Sequence, residues 1–598
     1  MRTIVLAFIV LAGLAAPAAA QRAAIDAANA KWMESFNKGD FDGVASLYAA
    51  DATAFPPGSA MVSGRAAIGA MWKGMAEQIT DPRVTTIDVK RLGPVAAREI
   101  RHLQPEYQGF AVERIDRQIR GDLAEGRQRL EARDRHLERG QVTALRPLQD
   151  GIMTSSETLH SLVQSGRVHR RLYTDPAIFE AEMERVFGRA WIYVGHESQV
   201  RKPGDYVRTF IGRKPVVLVR DTEGEIRVIH NQCAHRGSLV VANDKGNTDE
   251  FQCCYHGWTY HLDGRLKAVP LQHGYPRDFD PNNPKTAMVS AGRVKSYRGF
   301  VFASEATDGP SLEEFLGHMT TSFDDMIDRA PDGEIEVAGG TFKHAYEANW
   351  KLYLENLCDA AHPLFTHRSS IDAAQQQSDA ANSDGSGEIA IRQMRQNGAP
   401  YSFWESQVGI WTYPNGHSYL GDYHDDAKLM AALKDPVFRD YIAAMEKKKG
   451  KAETRRVLEV RRWNSNIYPN LSFMSQFQQL RVVHPVAVDR TVVTTYNFRL
   501  KGAPEQMFRN TISFANTVNG TGSLVLTDDL EIYNRIGMGL SSEGAEWIEI
   551  GRGLQSDAPD AHGGRRGKNS TSEVYIRNMF DAWLRYMADG RAAMRAAS

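Results

Sequence analysis

Apolar residues are spread unevenly along the chain, and three textures follow one another. The first is an apolar run from Ile4 to Ala20, preceded by Arg2, interrupted by Pro17 and closing on Ala18-Ala19-Ala20. It is short for a bilayer span, and the leading charge, apolar core and small-residue taper read as a secretory signal peptide over residues 1–20. Residues 22–95 have the pattern of a small α+β piece. Ile25, Ala28, Trp32 and Phe36 fall at helical spacing, and a second short helix is predicted over Phe41 to Ala49. Residues 98–139 then hold ten Arg and nine Asp or Glu with few apolar anchors, which reads residues 96–152 as a charged, solvated linker. From Met153 onward, strands, turns and helices alternate through the remaining 446 residues, a two-domain length.

Charge and composition narrow the function classes. The 598 residues carry 72 Lys+Arg against 73 Asp+Glu, a formal charge of -1, and the Arg-rich stretch lacks interleaved aromatics. Neither feature makes a case for nucleic acid. Apolar residues are 42% and charged residues 24%, an ordinary globular mix. The four cysteines, Cys233, Cys253, Cys254 and Cys358, are too few for a disulfide framework, so each needs its own explanation. No G-x-G-x-x-G is present, so the chain has no dinucleotide-binding fingerprint.

Three of those cysteines fall in one constellation. Cys233-Ala-His235-Arg236-Gly237 is followed, with 17 residues between His235 and Cys253, by Cys253-Cys254-Tyr255-His256-Gly257-Trp258. Thiolates and neutral imidazoles bind soft or borderline metals. The strand-like run Pro215 to Arg220 precedes the first loop, and Asp244-Lys-Gly-Asn between the loops hints at a turn, so two hairpin tips would converge. Zinc-finger spacing usually groups two Cys and then two His. The order here is Cys, His, Cys, His, which suits a [2Fe–2S] cluster with two Cys on one iron and two His on the other.

A second constellation runs from Asn349-Trp-Lys351 through Glu355-Asn356-Leu-Cys358-Asp359-Ala-Ala-His362-Pro363 to His367. Asn356, Asp359 and His362 step by three, the spacing of one helix face. Pro363 disfavours helical backbone at His362, so a break is expected there that swings His367 back toward His362. Two His plus one carboxylate make a facial triad with open positions on Fe(II). Cys358 reads as a small packed hydrophobe, and Trp350 and Tyr353 as core. Gln375 to Gly387 reads as a mobile polar loop, placed to cover a pocket mouth.

Taken together, Cys-x-His-Arg-Gly, Cys-x-Tyr-His-Gly-Trp-x-Tyr and E-N-x-x-D-x-x-H-x-x-x-x-H resemble the large (α) subunit of Rieske non-haem iron aromatic-ring-hydroxylating dioxygenases, from about Arg167 to Met594. The resemblance implies an α+β fold: a Rieske β-sandwich over 190–300, inserted in a helix-grip catalytic domain of 301–598 with 153–189, built on an antiparallel sheet with a long helix. It implies Cys233, His235, Cys253 and His256 as ligands of one [2Fe-2S] cluster, with Cys254 and His261 as bystanders. His362 and His367 are implied as ligands of one mononuclear Fe(II). The third ligand falls in Thr527-Asp528-Asp529-Leu530-Glu531, with Asp529 favoured over Asp528; the same pair also suits a helix N-terminus. Asn356 and Asp359 are implied as catalytic, Asp359 as the bridge carrying electrons from the cluster of a neighbouring subunit.

The same resemblance implies an oxygenase component that uses O2 and electrons from a separate NADH-dependent reductase, directly or through a ferredoxin. It also implies a homotrimeric ring, α3 or α3β3 with a small β subunit, and an aromatic small-molecule substrate leaving as a cis-dihydrodiol or a hydroxylated ring. A Rieske monooxygenase or O-demethylase shares every motif found. A Rieske electron carrier, or a secreted ligand-binding protein, would leave the second constellation unexplained.

Residues 22–95, through Asp51-Ala-Thr-Ala-Phe-Pro-Pro-Gly, resemble the start of a SnoaL-like (NTF2-like) domain, truncated where further strands are expected. Met153 is therefore expected as the natural start, with residues 1–152 an addition. A cytoplasmic location is expected despite the signal-like segment, because export would separate the enzyme from NADH and cluster assembly.

Overall fold

The computed structural model describes residues 4–11, 30–48, 53–54, 62–76, 80–93, 96–106, 155–380, 389–422, 438–460, 462–520, 522–523, 525–542 and 544–588. They divide into two compact units, 1–142 and 143–598. Among the described residues no helix is long and apolar enough to cross a membrane.

In the first unit Trp32 and Phe36 stack at 5.0 Å, and Trp72 from the helix Arg65–Ala76 meets Trp32 edge-on at 5.0 Å. Val44, Tyr48 and Ile68 complete this core. Ile25 and Ala28 lie outside the described residues. The second helix spans Phe41–Ser46, shorter than expected, and starts where the Asp40 carboxylate accepts the Gly43 amide at 2.8 Å.

Two strands of this unit fall in stretches that the sequence pattern reads differently. Ile4–Leu11, within the signal-like run, is a strand paired antiparallel with Ala96–Leu103. Short apolar runs rich in Ile and Val suit strands as well as leaders. The strand Ala96–Glu106 also pairs with Thr80–Gly93, so the sheet continues past residue 95 into the stretch read as linker. Charge density alone does not forbid a strand, because β-propensity depends on context. The linker beyond Glu106 lies outside the described residues.

The second unit is built from antiparallel sheets. Ile226–His230, Lys214–Arg220, Asp205–Ile211 and Lys245–Asn247 form one sheet in that order. The expected turn at Asp244-Lys-Gly-Asn is thus a short edge strand, paired with Asp205–Val207. Phe251–Gln252, Thr259–Tyr260 and Leu266–Ala268 form a second, smaller sheet. Lys214–Arg220 is apolar on both sides for a reason. Val217 and Val219 face a core shared with Cys233, Cys253 and Tyr260, whereas Val216 and Leu218 face the main core.

The rest of this unit is built on a nine-stranded antiparallel sheet that runs from Ile335–Tyr346 at one edge through Arg490–Leu500, Gln479–Ala487, Leu471–Met474, Arg462–Ile467, His417–Asp422 and Val408–Tyr413. The helices Glu505–Asn519, Leu526–Ser541 and Val574–Ala588 complete it.

One buried node joins three distant segments. Glu182, on the helix Pro176–Arg185, accepts from Trp350 Nε1 at 2.8 Å, from Trp583 Nε1 at 2.6 Å and from the Lys351 ammonium. Both charged side chains have no solvent exposure. Breaking a buried pair from one side strands the other charge and costs about 3–5 kcal/mol. Glu182→Gln is therefore expected to lower the denaturation midpoint sharply, and Glu182→Gln with Lys351→Met to recover much of the loss. Equal midpoints for the single variant and wild type, read by urea melts, would refute the assignment.

His417 ties the hairpin turn to two other elements. Its Nε2–H donates to Phe315 O at 2.9 Å, and its Nδ1 accepts from the Tyr468 amide at 3.1 Å, an arrangement that needs the neutral ring. Burial pushes its pKa down to about 4. The unfolded chain takes up this proton near pH 6.5 and the native chain does not. Stability is therefore held above about pH 6.5 and falls by roughly 3 kcal/mol as pH drops toward 4. His417→Gln should flatten that part of the acid limb in urea melts at pH 7 and 4.5; an unchanged slope would contradict it.

Candidate metal centres

The halves of the first motif sit on matching turns. The Cys233 amide donates to Ser238 O at 2.8 Å, and its carbonyl accepts from the Gly237 amide at 2.9 Å. The Cys253 amide donates to Trp258 O at 2.8 Å, and its carbonyl accepts from the Gly257 amide at 3.0 Å. Gly237 and Gly257 have φ of 74° and 70°, where other residues are strained. A Cβ on Gly257 would also lie 2.9 Å from Pro270 Cγ.

These turns put sulfur inside and nitrogen outside. Cys233 and Cys253 are buried, His235 is half-buried and His256 exposed. The two rings approach to 4.6 Å, and His235 stacks on Trp258 at 5.0 Å. Tyr260 Oη accepts the Ala234 amide at 3.1 Å and lies 3.1 Å from Cys233 Sγ, so its hydroxyl hydrogen is free for the sulfur. Cys254 and His261 are exposed. Two thiols and two imidazoles on facing loops are the donor set of a Rieske cluster.

In the second motif the helix breaks earlier than Pro363. Lys351–Leu357 ends at Cys358 with φ -105° and ψ 9°, while His362 keeps helical angles, φ -60° and ψ -33°, as the cap of Pro363–Thr366. Asp359 Oδ1 accepts the Ala361 amide at 2.7 Å and lies 3.4 Å from that of His362, which competes with continuing the helix. Pro363 stands at the first helical position, where its missing N–H would have no partner anyway. Asn356, Asp359 and His362 thus share a site without sharing a helix. Gln375–Ala380, expected as loop, extends the helix Arg368–Ala380, and residues 381–388 lie outside the described residues.

Asp528 and Asp529 occupy the first turn of Leu526–Ser541, where the helix dipole favours anions. Asp529 Oδ1 lies 3.7 Å from His362 Nε2 and 3.4 Å from His367 Nε2, and it accepts from Asn356 Nδ2 at 3.2 Å. Asp528 Oδ2 lies behind, 3.2 Å from His367 Nδ1. Asp359 Oδ2 stands 3.6 Å from His362 Nδ1. Each ring therefore turns Nε2 to a common point and Nδ1 to an outer carboxylate, which is how metal-ligating histidines are usually oriented. Burial disfavours protonated His362, yet Asp359 and Asp529 outweigh it and raise its pKa. Burial likewise opposes ionised Asp359, but His362 and the backbone amides hold its pKa below the usual range.

One ligand atom each from His362, His367 and Asp529 lie within 4.8 Å of one another, a geometry able to hold a metal ion. A cavity of about 120 Å³ meets them, walled in part by Tyr353, Trp404, Trp463, Met474, Phe514 and Arg481. Trp350, Tyr353 and Cys358 are buried as expected, with Ser418 Oγ 3.7 Å from Cys358 Sγ.

Profiles of protein families match three stretches: a Rieske [2Fe-2S] domain over 190–297, the catalytic domain of the ring hydroxylating alpha subunit over 334–589, and a SnoaL-like domain over 30–118. The large subunit of anthranilate 1,2-dioxygenase from Acinetobacter baylyi is 34% identical over 440 residues, 71% of this chain and 90% of that protein. The chain belongs to the ring-hydroxylating dioxygenase alpha subunits.

This alpha subunit is also 34% identical over 394 residues to toluate 1,2-dioxygenase subunit alpha of Pseudomonas putida, 64% of this chain and 83% of that one. The crystal structure of naphthalene 1,2-dioxygenase from Rhodococcus sp. bound to indole superposes with a TM-score of 0.59 at 25% identity, covering 73% of this chain and all of that one. As an alpha subunit it is a Rieske non-haem iron oxygenase, with a [2Fe-2S] cluster and a mononuclear iron as cofactors. The donor chemistry of both centres suits those groups. Sequence reasoning missed the position of Asp528 behind His367 and the presence of Arg481 in the cavity wall. A lone Arg within Gln479-Leu-Arg-Val-Val carries no signal of either face.

Proposed function

We propose that this alpha subunit hydroxylates an aromatic ring, with His362, His367 and Asp529 holding the mononuclear iron and Cys233, His235, Cys253 and His256 holding the cluster. The observation that carries the reading is the convergence of two imidazole Nε2 atoms on one oxygen of Asp529 at the wall of a cavity. When bound, the two groups supply electron storage and O2 activation. Asn356 keeps Asp529 Oδ1 turned inward through its amide hydrogen bond. Asp528 fixes the ring of His367 from behind, and Asp359 does so for His362. Trp404, Trp463 and Phe514 exclude water and present flat apolar walls to a ring.

Asp359 is also the bridge to a neighbouring subunit, since a third of its side chain is exposed. Exposed Leu239 and Tyr255 flank the cluster loops, and exposed Phe365 lies on the short helix after His362. Such apolar groups suit a contact between copies. A head-to-tail ring, α3 or α3β3 with a small β subunit, would set the cluster of one copy against Asp359 of the next. Without a dinucleotide fingerprint, the chain takes NADH-derived electrons from a separate reductase, directly or through a ferredoxin. Dependence on NADH supports a cytoplasmic location. The names of the relatives, anthranilate, toluate and naphthalene dioxygenases, support an aromatic substrate and leave open whether it is an acid or a hydrocarbon.

Asp529→Ala should lower iron from three atoms per chain to two while the reduced Rieske EPR signal persists; retained iron would shift the ligand to Asp528. Asp528→Asn is expected to weaken iron binding about 10–100-fold. Asp359→Asn should keep both metals and abolish turnover with reductase, and normal turnover would remove the bridge. Labelled O2 tests the reaction itself: two labelled oxygens in the product mark dioxygenation, one marks a monooxygenase.

A further inference from the structure

Arg481 carries a charge that the oxygenase reading leaves unused. It lies on Gln479–Ala487, opposite Ser472 and Thr495 of the neighbouring strands, and is 5% exposed. Nη1 donates to Asn464 Oδ1 at 2.8 Å and Nη2 to the Met474 thioether at 2.7 Å. A guanidinium has five N–H donors and keeps its proton in proteins. Among the described residues no carboxylate lies within ion-pair distance of it. Of the other deeply buried cations, Arg329 pairs with Asp325 at 2.9 Å and Lys351 with Glu182; Arg462 has no ion pair among the described residues, but it lies over the Tyr419 ring at 4.1 Å and is not part of the cavity wall. An unpaired buried charge is costly, and a neutral amide and a thioether offset little of that cost.

The cavity explains the anomaly. Arg481, Asn464 and Met474 line the same space as His362, His367 and Asp529. Asp529 lines the same space, but it is engaged by both histidines and Asn356. Its volume, about 120 Å³, is close to the roughly 150 Å³ that encloses one benzene ring. We infer that Arg481 binds the carboxylate of a single-ring aromatic acid and thereby presents the ring to the His362–His367–Asp529 centre. A fork of N–H donors meets a carboxylate through two hydrogen bonds, which fixes orientation as well as charge. Arg481 is in this sense a specificity residue, and the inference rests on the cavity being the oxygenase site.

The test uses purified holoenzyme with calorimetric binding of benzoate, its neutral isostere benzamide, and 2-naphthoate. Wild type should bind benzoate on the order of 30-fold or more tighter than benzamide, and about tenfold or more tighter than 2-naphthoate. Arg481→Gln should lose benzoate binding by a similar 30-fold factor, with benzamide unaffected and with iron content and the Rieske EPR signal intact. Wild type that does not prefer benzoate to benzamide overturns the inference and needs no folded variant to do so. Arg481→Gln that binds benzoate as wild type does overturns it too, leaving Arg481 as a counter-charge for Asp529. Equal binding of 2-naphthoate overturns the single-ring limit. Failure of the oxygenase reading is separate: reduced holoenzyme would then take up no O2 with any bound ring compound, whichever ligand it prefers.

Discussion

Lys351 carries an ammonium into a fully buried place, where the Glu182 carboxylate meets it. The pair is held by two indoles, from Trp350 and Trp583, and so links segments 169 and 401 residues apart in sequence. A surface ion pair would matter little. This one anchors the first residue of the helix Lys351–Leu357, and that helix carries Asn356 to Asp529 at the cavity. Everything from Asn356 to His367 hangs from that anchored start. The segment can break its helix after Leu357 without losing its place, because both sides of the break are tied down.

Around the cavity, charge is arranged in layers. Asp529 stands between the two Nε2 atoms, and Asp528 and Asp359 stand behind the rings. The paired acids serve at once as an N-terminal turn, where the helix dipole favours them, and as inner and outer partners of the histidines. The guanidinium of Arg481 lines the same cavity and gives its wall a charge of opposite sign. A pocket whose wall holds both carboxylates and a cation can orient a polar ring before any reaction occurs.

Legibility from sequence followed the locality of the interactions. Both motifs stand out in the sequence because each brings Cys, His or Asp residues within a few positions of one another on short turns. Asp529 could be reached only by resemblance, since it stands 162 residues beyond His367. The helix break was placed at Pro363 because proline's restrictions are local and strong, yet the Asp359 carboxylate competed for the backbone first. The short strand at Lys245–Asn247 looked like a turn because Gly and Asn favour turns, and only pairing with Asp205–Val207 makes it a strand. Arg481 was invisible because its meaning lies in what does not surround it, which is a property of tertiary packing. In the N-terminal unit, charge composition hid a strand that hairpin pairing with Thr80–Gly93 supports.

The strand Lys214–Arg220 gives one face to the lobe of Cys233 and Cys253 and the other to the catalytic body. Neither side can therefore melt without exposing valines that belong to the other. The electron-accepting lobe is not a detachable module on a scaffold: it shares a cooperative folding unit with the hydroxylating centre, and loosening at either centre is transmitted through one apolar β-ribbon.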